Sequence, residues 1–435
     1  MNKPFRYFSA AGLFLIAAAL AGCGSSKNET GAEKPAEPEK PKEPVTLTFF
    51  NAQAGSIDFA SFFESESFKS KFPHITVQVI NRGNGSNYPD LIASGQLPDI
   101  IYESTAFTVE RVMANGFHYD MTDLIKKHGF DLNIFEPNVL AHARNQTTEG
   151  KLYGLPVSMN KYATFYNKDL FDRFGVPYPK DGMTWDDIYD LSKRLTRSDG
   201  GEVYQGITFV VNNMMLNNQL SAGPLHPKED RANLNTDEWK LLFENFGRFF
   251  QIPNASILPV GDFPKGKVAM IVNAHPSIVG YSKENPALNW DVVSVPVLKE
   301  KPNTGFKPAS LSLFVTQTSK HKDDAFLTVA YLVSEEVQTL IAANGSATPL
   351  ASKAVQQSTG KNIPEWQGKN VNALYYYQDA PPTPPRDASL TNVGVSYEKW
   401  FREMIQNQID VNTALRSFEE EINQAIAAEK AKTGK

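Results

Sequence analysis

Val45-Thr46-Leu47-Thr48-Phe49-Phe50 alternates along its length, and Ile75-Thr76-Val77-Gln78-Val79 alternates again after one intervening helix-like stretch. Period-two patterning of β-branched and aromatic residues predicts two strands. Between them Phe59, Phe62 and Phe63 share one helical face, Ser56 stands in a capping position, and Phe72-Pro73 ends the run. Strand, helix, strand with short links predicts a parallel α/β sheet. Moving outward, Gly95 to Asp99 turns the chain into the apolar strand Ile100 to Tyr102. Thr184 to Asp187 has the form of a capping box, with Ile188, Leu191 and Leu195 following at helical spacing. Ala325, Phe326, Val329 and Leu332 mark a later helix. Ser334 caps the next, which carries Val337, Leu340 and Ile341. Leu415, Phe418, Ile422 and Ile426 mark a terminal one.

The first residues carry an export pattern. Lys3 and Arg6 precede an apolar run from Phe8 to Leu20. That run is shorter than the about 20 residues a membrane-spanning helix needs. Leu20-Ala21-Gly22-Cys23 follows and looks like a lipobox, which predicts cleavage of residues 1–22 and a lipid on the Cys23 sulfur. Residues 23–44 then read as a lipidated cysteine and a disordered tether. Gly24 to Pro44 holds no aromatic and no branched aliphatic residue, so it cannot bury enough apolar surface to fold.

Cys23 is the only cysteine of the 435 residues. This excludes an intrachain disulfide framework, a thiolate metal cluster and a second reactive thiol. A chain of this length can instead rely on apolar cores, divided between two bodies. The formal charge of −5 gives no basic balance for nucleic acid. The seven histidines include no pair four residues apart, so no helical zinc pair is predicted. Gly83-Asn84-Gly85 opens like a nucleotide loop, but Tyr88 stands where the third glycine belongs; a turn at a strand end is the expectation. No metal or cofactor is predicted.

Five ordered segments resemble a known family. Ser94-Gly95-Gln96-Leu97-Pro98-Asp99-Ile100, Gly150-Lys151-Leu152-Tyr153-Gly154-Leu155-Pro156 and Tyr166-Asn167-Lys168-Asp169-Leu170-Phe171 are the first three. Phe263-Pro264-Lys265-Gly266-Lys267-Val268-Ala269-Met270 and Ser319-Lys320-His321-Lys322 with Asp324-Ala325-Phe326 complete the set. Together they resemble extracellular solute-binding protein family 1, the substrate-binding lipoproteins of ABC sugar importers. The resemblance implies an α/β fold of the type II periplasmic-binding-protein kind. Each of two lobes would be a mixed, mostly parallel sheet flanked by helices. By similarity, residues 45–157 plus 308–348 form one lobe and 158–307 plus 349–435 the other. The chain would cross between them near Val157 to Tyr162, Lys307 to Phe314 and Ala347 to Leu350. A monomer that closes on a mono- or oligosaccharide and hands it to permease subunits is the implied function, without catalysis. A lipid-anchored polysaccharide hydrolase and a receptor coupled to a membrane kinase are the alternatives.

Sugars need polar groups for hydroxyls and flat faces for ring C–H groups, and strand ends face such clefts. Gln53 follows the first strand and Glu103 the third, where relatives of the maltodextrin-binding type carry an aromatic. Asn160 sits at the first crossing. Asn273 and His275 stand where many sugar binders place an Asn-Gly-x-Trp motif, so the usual tryptophan is lost. Asn213 belongs to an amide cluster with Asn212, Asn217 and Asn218. Tyr376 is one of three consecutive tyrosines, 375–377, expected to alternate in an extended segment. Trp366 is a further stacking candidate, while Trp185 and Trp290 read as core.

Overall fold

The computed structural model describes residues 42–53, 57–256, 259–385, 390, 393–407 and 409–433. The export signal, Cys23, nearly all of the tether and Ser56 lie outside them. Among the described residues ten strands form two five-stranded sheets. The first takes β1 (Val45–Asn51), β2 (Ile75–Asn81), β3 (Ile100–Ser104), β4 (Leu155–Met159) and β10 (Ser310–Val315), in the order β2-β1-β3-β10-β4. The second takes β5 (Tyr162–Asn167), β6 (Arg197–Asp199), β7 (Glu202–Phe209), β8 (Val268–Ala274) and β9 (Trp290–Val293), in the order β6-β7-β8-β5-β9.

Both sheets are mixed, but unequally. In the first, β1 runs parallel to β2 and β3, and β10 enters antiparallel to both of its neighbours. In the second, only β7 and β8 pair in parallel. The cause is the route of the chain. Strands that return from the other sheet, such as β5 and β10, need no helical crossover and enter in the opposite sense.

Alternation places side chains on two covered faces in each sheet. Leu47, Phe49, Ile100, Tyr102, Leu313 and Val315 pack with Phe59, Phe63, Phe326 and Val329 in one core. Phe50, Ile101 and Phe314 point the other way, onto Tyr88, Leu91 and Phe117. In the second sheet Ile207, Phe209, Met270 and Val272 meet Trp185, Ile188, Trp239 and Phe246, while Phe165, Ile271 and Val292 meet Phe263, Ile278 and Trp366.

Local signals explain the helices. Thr184 accepts a hydrogen bond from the Asp187 amide, and the capping box starts Trp185–Leu195. Ser334 caps Glu335–Ala343, in which Val337 and Ile341 are buried, but Leu340 is 50% exposed and belongs to the outer face. The helix between β1 and β2 is two short ones, Phe59–Glu64 and Glu66–Lys71, broken at Ser65, and Asp58 caps the first. Gly83 and Ser86 close the expected turn. The core of the first sheet also takes Leu350 and Val355, which lie past the limit of 348 expected for that lobe. Among the described residues no single helix is long and apolar enough to cross a membrane.

Candidate functional site

β4 ends at Met159 and β5 begins at Tyr162, so Asn160 and Lys161 alone link the two sheets at this point. Other passages of the chain are pinned to this link. The Asn160 amide donates to Ala309 O at 2.8 Å, Met159 N to Ala347 O at 2.9 Å and His275 N to Lys161 O at 2.8 Å. Around the link lies a cavity lined by Asn160, Lys161, Tyr162, Lys307, Tyr377 and Asp379, among others. A second concavity of about 180 Å³ adjoins it, bounded by Glu136, Asn138, Lys353 and the stretch 375–379. Lys161, Tyr377 and Asp379 line both.

The polar groups here are ordered. Lys161 Nζ gives a hydrogen bond to each Asp379 carboxylate oxygen, both at 2.7 Å. Asn138 Nδ2, on the helix Pro137–Arg144, donates to Asp379 O at 2.6 Å. Tyr162 Oη accepts from Asn217 Nδ2 at 3.3 Å, and its ring meets Phe306 edge-on with centroids 5.3 Å apart. Burial pushes the Tyr162 phenol up to about 12. Burial also brings Lys307 down to about 8 and His142 down to about 4, with the Lys307 charge adding to the latter. Asp379 is raised, chiefly by burial.

Of the seven predicted ligand contacts, Asn160 lines the first cavity and Tyr376 the second. The other five line neither. Glu103 is fully buried and accepts from Tyr88 Oη at 3.2 Å, the Ser104 amide at 2.8 Å and Arg111 Nη1 at 3.2 Å. Gln53 Nε2 donates to its Oε1, the oxygen that also accepts from Ser104. An acid with this many partners is already satisfied. Asn273 is buried, donates to Tyr281 Oη at 3.1 Å and accepts from the Ala274 amide. His275 is 1% exposed; its Nδ1 accepts from Lys161 N at 3.2 Å and its Nε2 donates to Gly345 O at 3.1 Å. It therefore ties the first crossing to the segment before Ala347. Asn213 lies on the short helix Val211–Leu216, and its carbonyl accepts from Asn217. Asn218 is spent on turn bonds to Met215 and Ala222.

The tyrosines are not in an extended segment. Val371–Tyr375 is a 3₁₀ turn, and Tyr376 follows it in helical geometry. Tyr375 is held by Thr348 and Thr359, Tyr377 faces the first cavity, and Tyr376 is 53% exposed. Trp366 is 4% exposed and packs on Gly360, where an added Cβ would lie 2.2 Å from its ring. It is core, not a platform. Residue-by-residue reading missed Lys161, Tyr162, Lys307 and Asp379. The first three lie at or beside the expected crossings, and that position was the available signal.

The model of the bacterial extracellular solute-binding proteins matches residues 56–339. An sn-glycerol-3-phosphate-binding periplasmic protein of Rhizobium meliloti is 21% identical over 374 residues, covering 78% of this chain and 85% of its own length. A protein of Brucella abortus named as a binding protein is 24% identical over 274 residues; the match covers 60% of this chain and 61% of that relative's length. Among solved structures, an ABC substrate-binding protein of Listeria monocytogenes in complex with cycloalternan superposes with a TM-score of 0.68 at 20% identity, covering 88% of this chain and all of that one. The sugar-binding protein MalE of Xanthomonas citri gives 0.70 at 17% identity, covering 90% and 100%. These likenesses carry the two-lobe α/β fold. With the greater part of its length matched, the chain belongs to the bacterial extracellular solute-binding protein family.

Proposed function

We propose that this chain captures a small solute, a mono- or oligosaccharide, between its two sheets and delivers it to the membrane subunits of an ABC importer. The observation that carries this reading is the pair of adjoining concavities, the second of about 180 Å³. The first is walled by residues from separate passages between the sheets: Asn160 to Tyr162, Gly305 to Pro308, and Tyr377 with Asp379. A ligand there touches both bodies only when they are closed, so its binding energy favours closure. Amides and phenols suit hydroxyl groups, and the rings of Tyr162, Tyr376 and Tyr377 offer flat faces. The cargoes of the similar proteins, cycloalternan and sn-glycerol 3-phosphate among them, carry hydroxyl groups and support the same class.

In this reading Asn160 and Tyr376 contact the solute directly. Gln53, Glu103, Asn273 and His275 hold the walls, and Asn213 positions Asn217. The moving bodies divide close to residues 160 and 308, with a third passage after Val355. No bond is made or broken in the solute. A lipid on Cys23 and the tether that follows hold the protein at the outer face of the membrane. Calorimetry against a panel of neutral and charged sugars tests the cargo. A clean signal from a peptide, a polyamine or a metal ion, with none from any sugar, would sink it.

A further inference from the structure

The first cavity is unevenly charged. Among the described residues its wall carries two cations, Lys161 and Lys307, and one carboxylate, Asp379. Lys161 already engages both oxygens of that carboxylate. Lys307 has no carboxylate within ion-pair distance among the described residues. Its Nζ gives one hydrogen bond, to Thr383 Oγ1 at 2.8 Å. An ammonium has three N–H donors, so two are left for something else. The neighbouring His142 is neutral, and the other nearby acid, Glu136, accepts from Gln356 Nε2 at 2.9 Å and acts on Asp379 and Tyr375. Tyr162 lines the same cavity. Its oxygen accepts from Asn217, which leaves its own hydrogen to donate.

A poorly solvated ammonium without a counter-charge is costly. A fold retains one where a ligand compensates it. Resting on the cleft reading above, we propose that the captured solute carries an anionic group, a carboxylate or a phosphate ester, received by Lys307 with the Tyr162 hydroxyl as a second donor. The rest of the solute then lies against Asn160 and Tyr377. A charge-assisted contact of this kind is the strong type of hydrogen bond. It also rejects the neutral analogue, which leaves the ammonium without a counter-charge.

Calorimetry decides this with glucose, maltose and galactose as neutral probes, and glucose 6-phosphate, sn-glycerol 3-phosphate and galacturonate as anionic ones. At least one anion should bind 100-fold tighter than its neutral counterpart, and the pair that wins distinguishes phosphate from carboxylate. Lys307→Met should weaken that anion by 100-fold or more. Lys307→Arg should stay within tenfold of the parent, and Tyr162→Phe should lose about tenfold. If Lys307→Met does not fold by circular dichroism, the comparison of anionic with neutral probes on the parent protein decides alone. A neutral sugar bound as tightly as any anion overturns the inference and leaves the cleft reading standing. Binding of neither class overturns both.

Discussion

Lys161 Nζ sits 2.7 Å from both carboxylate oxygens of Asp379, and each side chain is about one-tenth exposed. The lysine belongs to the two-residue link between the sheets, and the aspartate to the stretch that walls both concavities. Removing one member leaves a buried, unanswered charge, which costs about 3–5 kcal/mol. Lys161→Met and Asp379→Asn should each lower the urea midpoint accordingly. The double variant Lys161→Met/Asp379→Leu should recover most of the loss, because it removes both charges. A double variant no better than the singles would show that the pair is not coupled.

His275 makes stability depend on pH. Burial holds its imidazole down to about 4, from an ordinary 6.5. The unfolded chain therefore binds a proton between those values that the folded chain does not. Stability is full above about 6.5 and falls as pH drops toward 4, by about 3 kcal/mol for this one residue. His142 is shifted the same way and adds to the slope. Denaturant melts between pH 4 and 7 should show this slope, and His275→Gln should flatten it by about half.

Glu103 should behave as a structural residue. Its carboxylate is enclosed by Gln53, Tyr88, Ser104 and Arg111. Glu103→Ala strands Arg111 and leaves donors unanswered, for a loss of about 3–5 kcal/mol. Any fall in ligand affinity should accompany that loss of stability. A variant with unchanged melting and lost binding would return the residue to direct contact.

Asn160 and Tyr376 should show the opposite pattern. The bond that fixes Asn160 is made by its backbone, and Tyr376 is half exposed with its hydroxyl over Gly182. Asn160→Ala and Tyr376→Ala should move stability by under about 0.5 kcal/mol. Each should weaken solute binding by about tenfold, or about 1.4 kcal/mol. Calorimetry paired with thermal melts separates the two effects.

The fold was legible because periodicity reports burial. The alternation of Val45 to Phe50 became β1, with Phe49 and Phe50 on opposite faces of a sheet covered on both sides. Thr184 and Asp187 announced their helix because a capping box is local. The site was harder, since it depends on which polar groups are already spent. Nothing adjacent in sequence shows that Glu103 meets Arg111 and Tyr88, or that both nitrogens of His275 are taken by backbone at residues 161 and 345. The tyrosines failed for another reason: a 3₁₀ turn replaces the extended segment, so alternation no longer sets which ring faces inward. Lys307 and Asp379 stand 72 positions apart in the chain and share one cavity wall only after both sheets are assembled.

The central place of β10 constrains how the molecule is made. It lies between β3 and β4, supplying hydrogen bonds to both, yet it comes about 150 residues after β4 in the chain. A polypeptide lengthening from its N-terminus therefore carries two unzipped strand edges until residue 315 has emerged. Those edges are templates for wrong partners, and a contact of such long sequence separation forms slowly. The nascent chain thus stays open until late in its synthesis, and a truncation ending before Ser310 should yield an aggregate rather than a half-molecule.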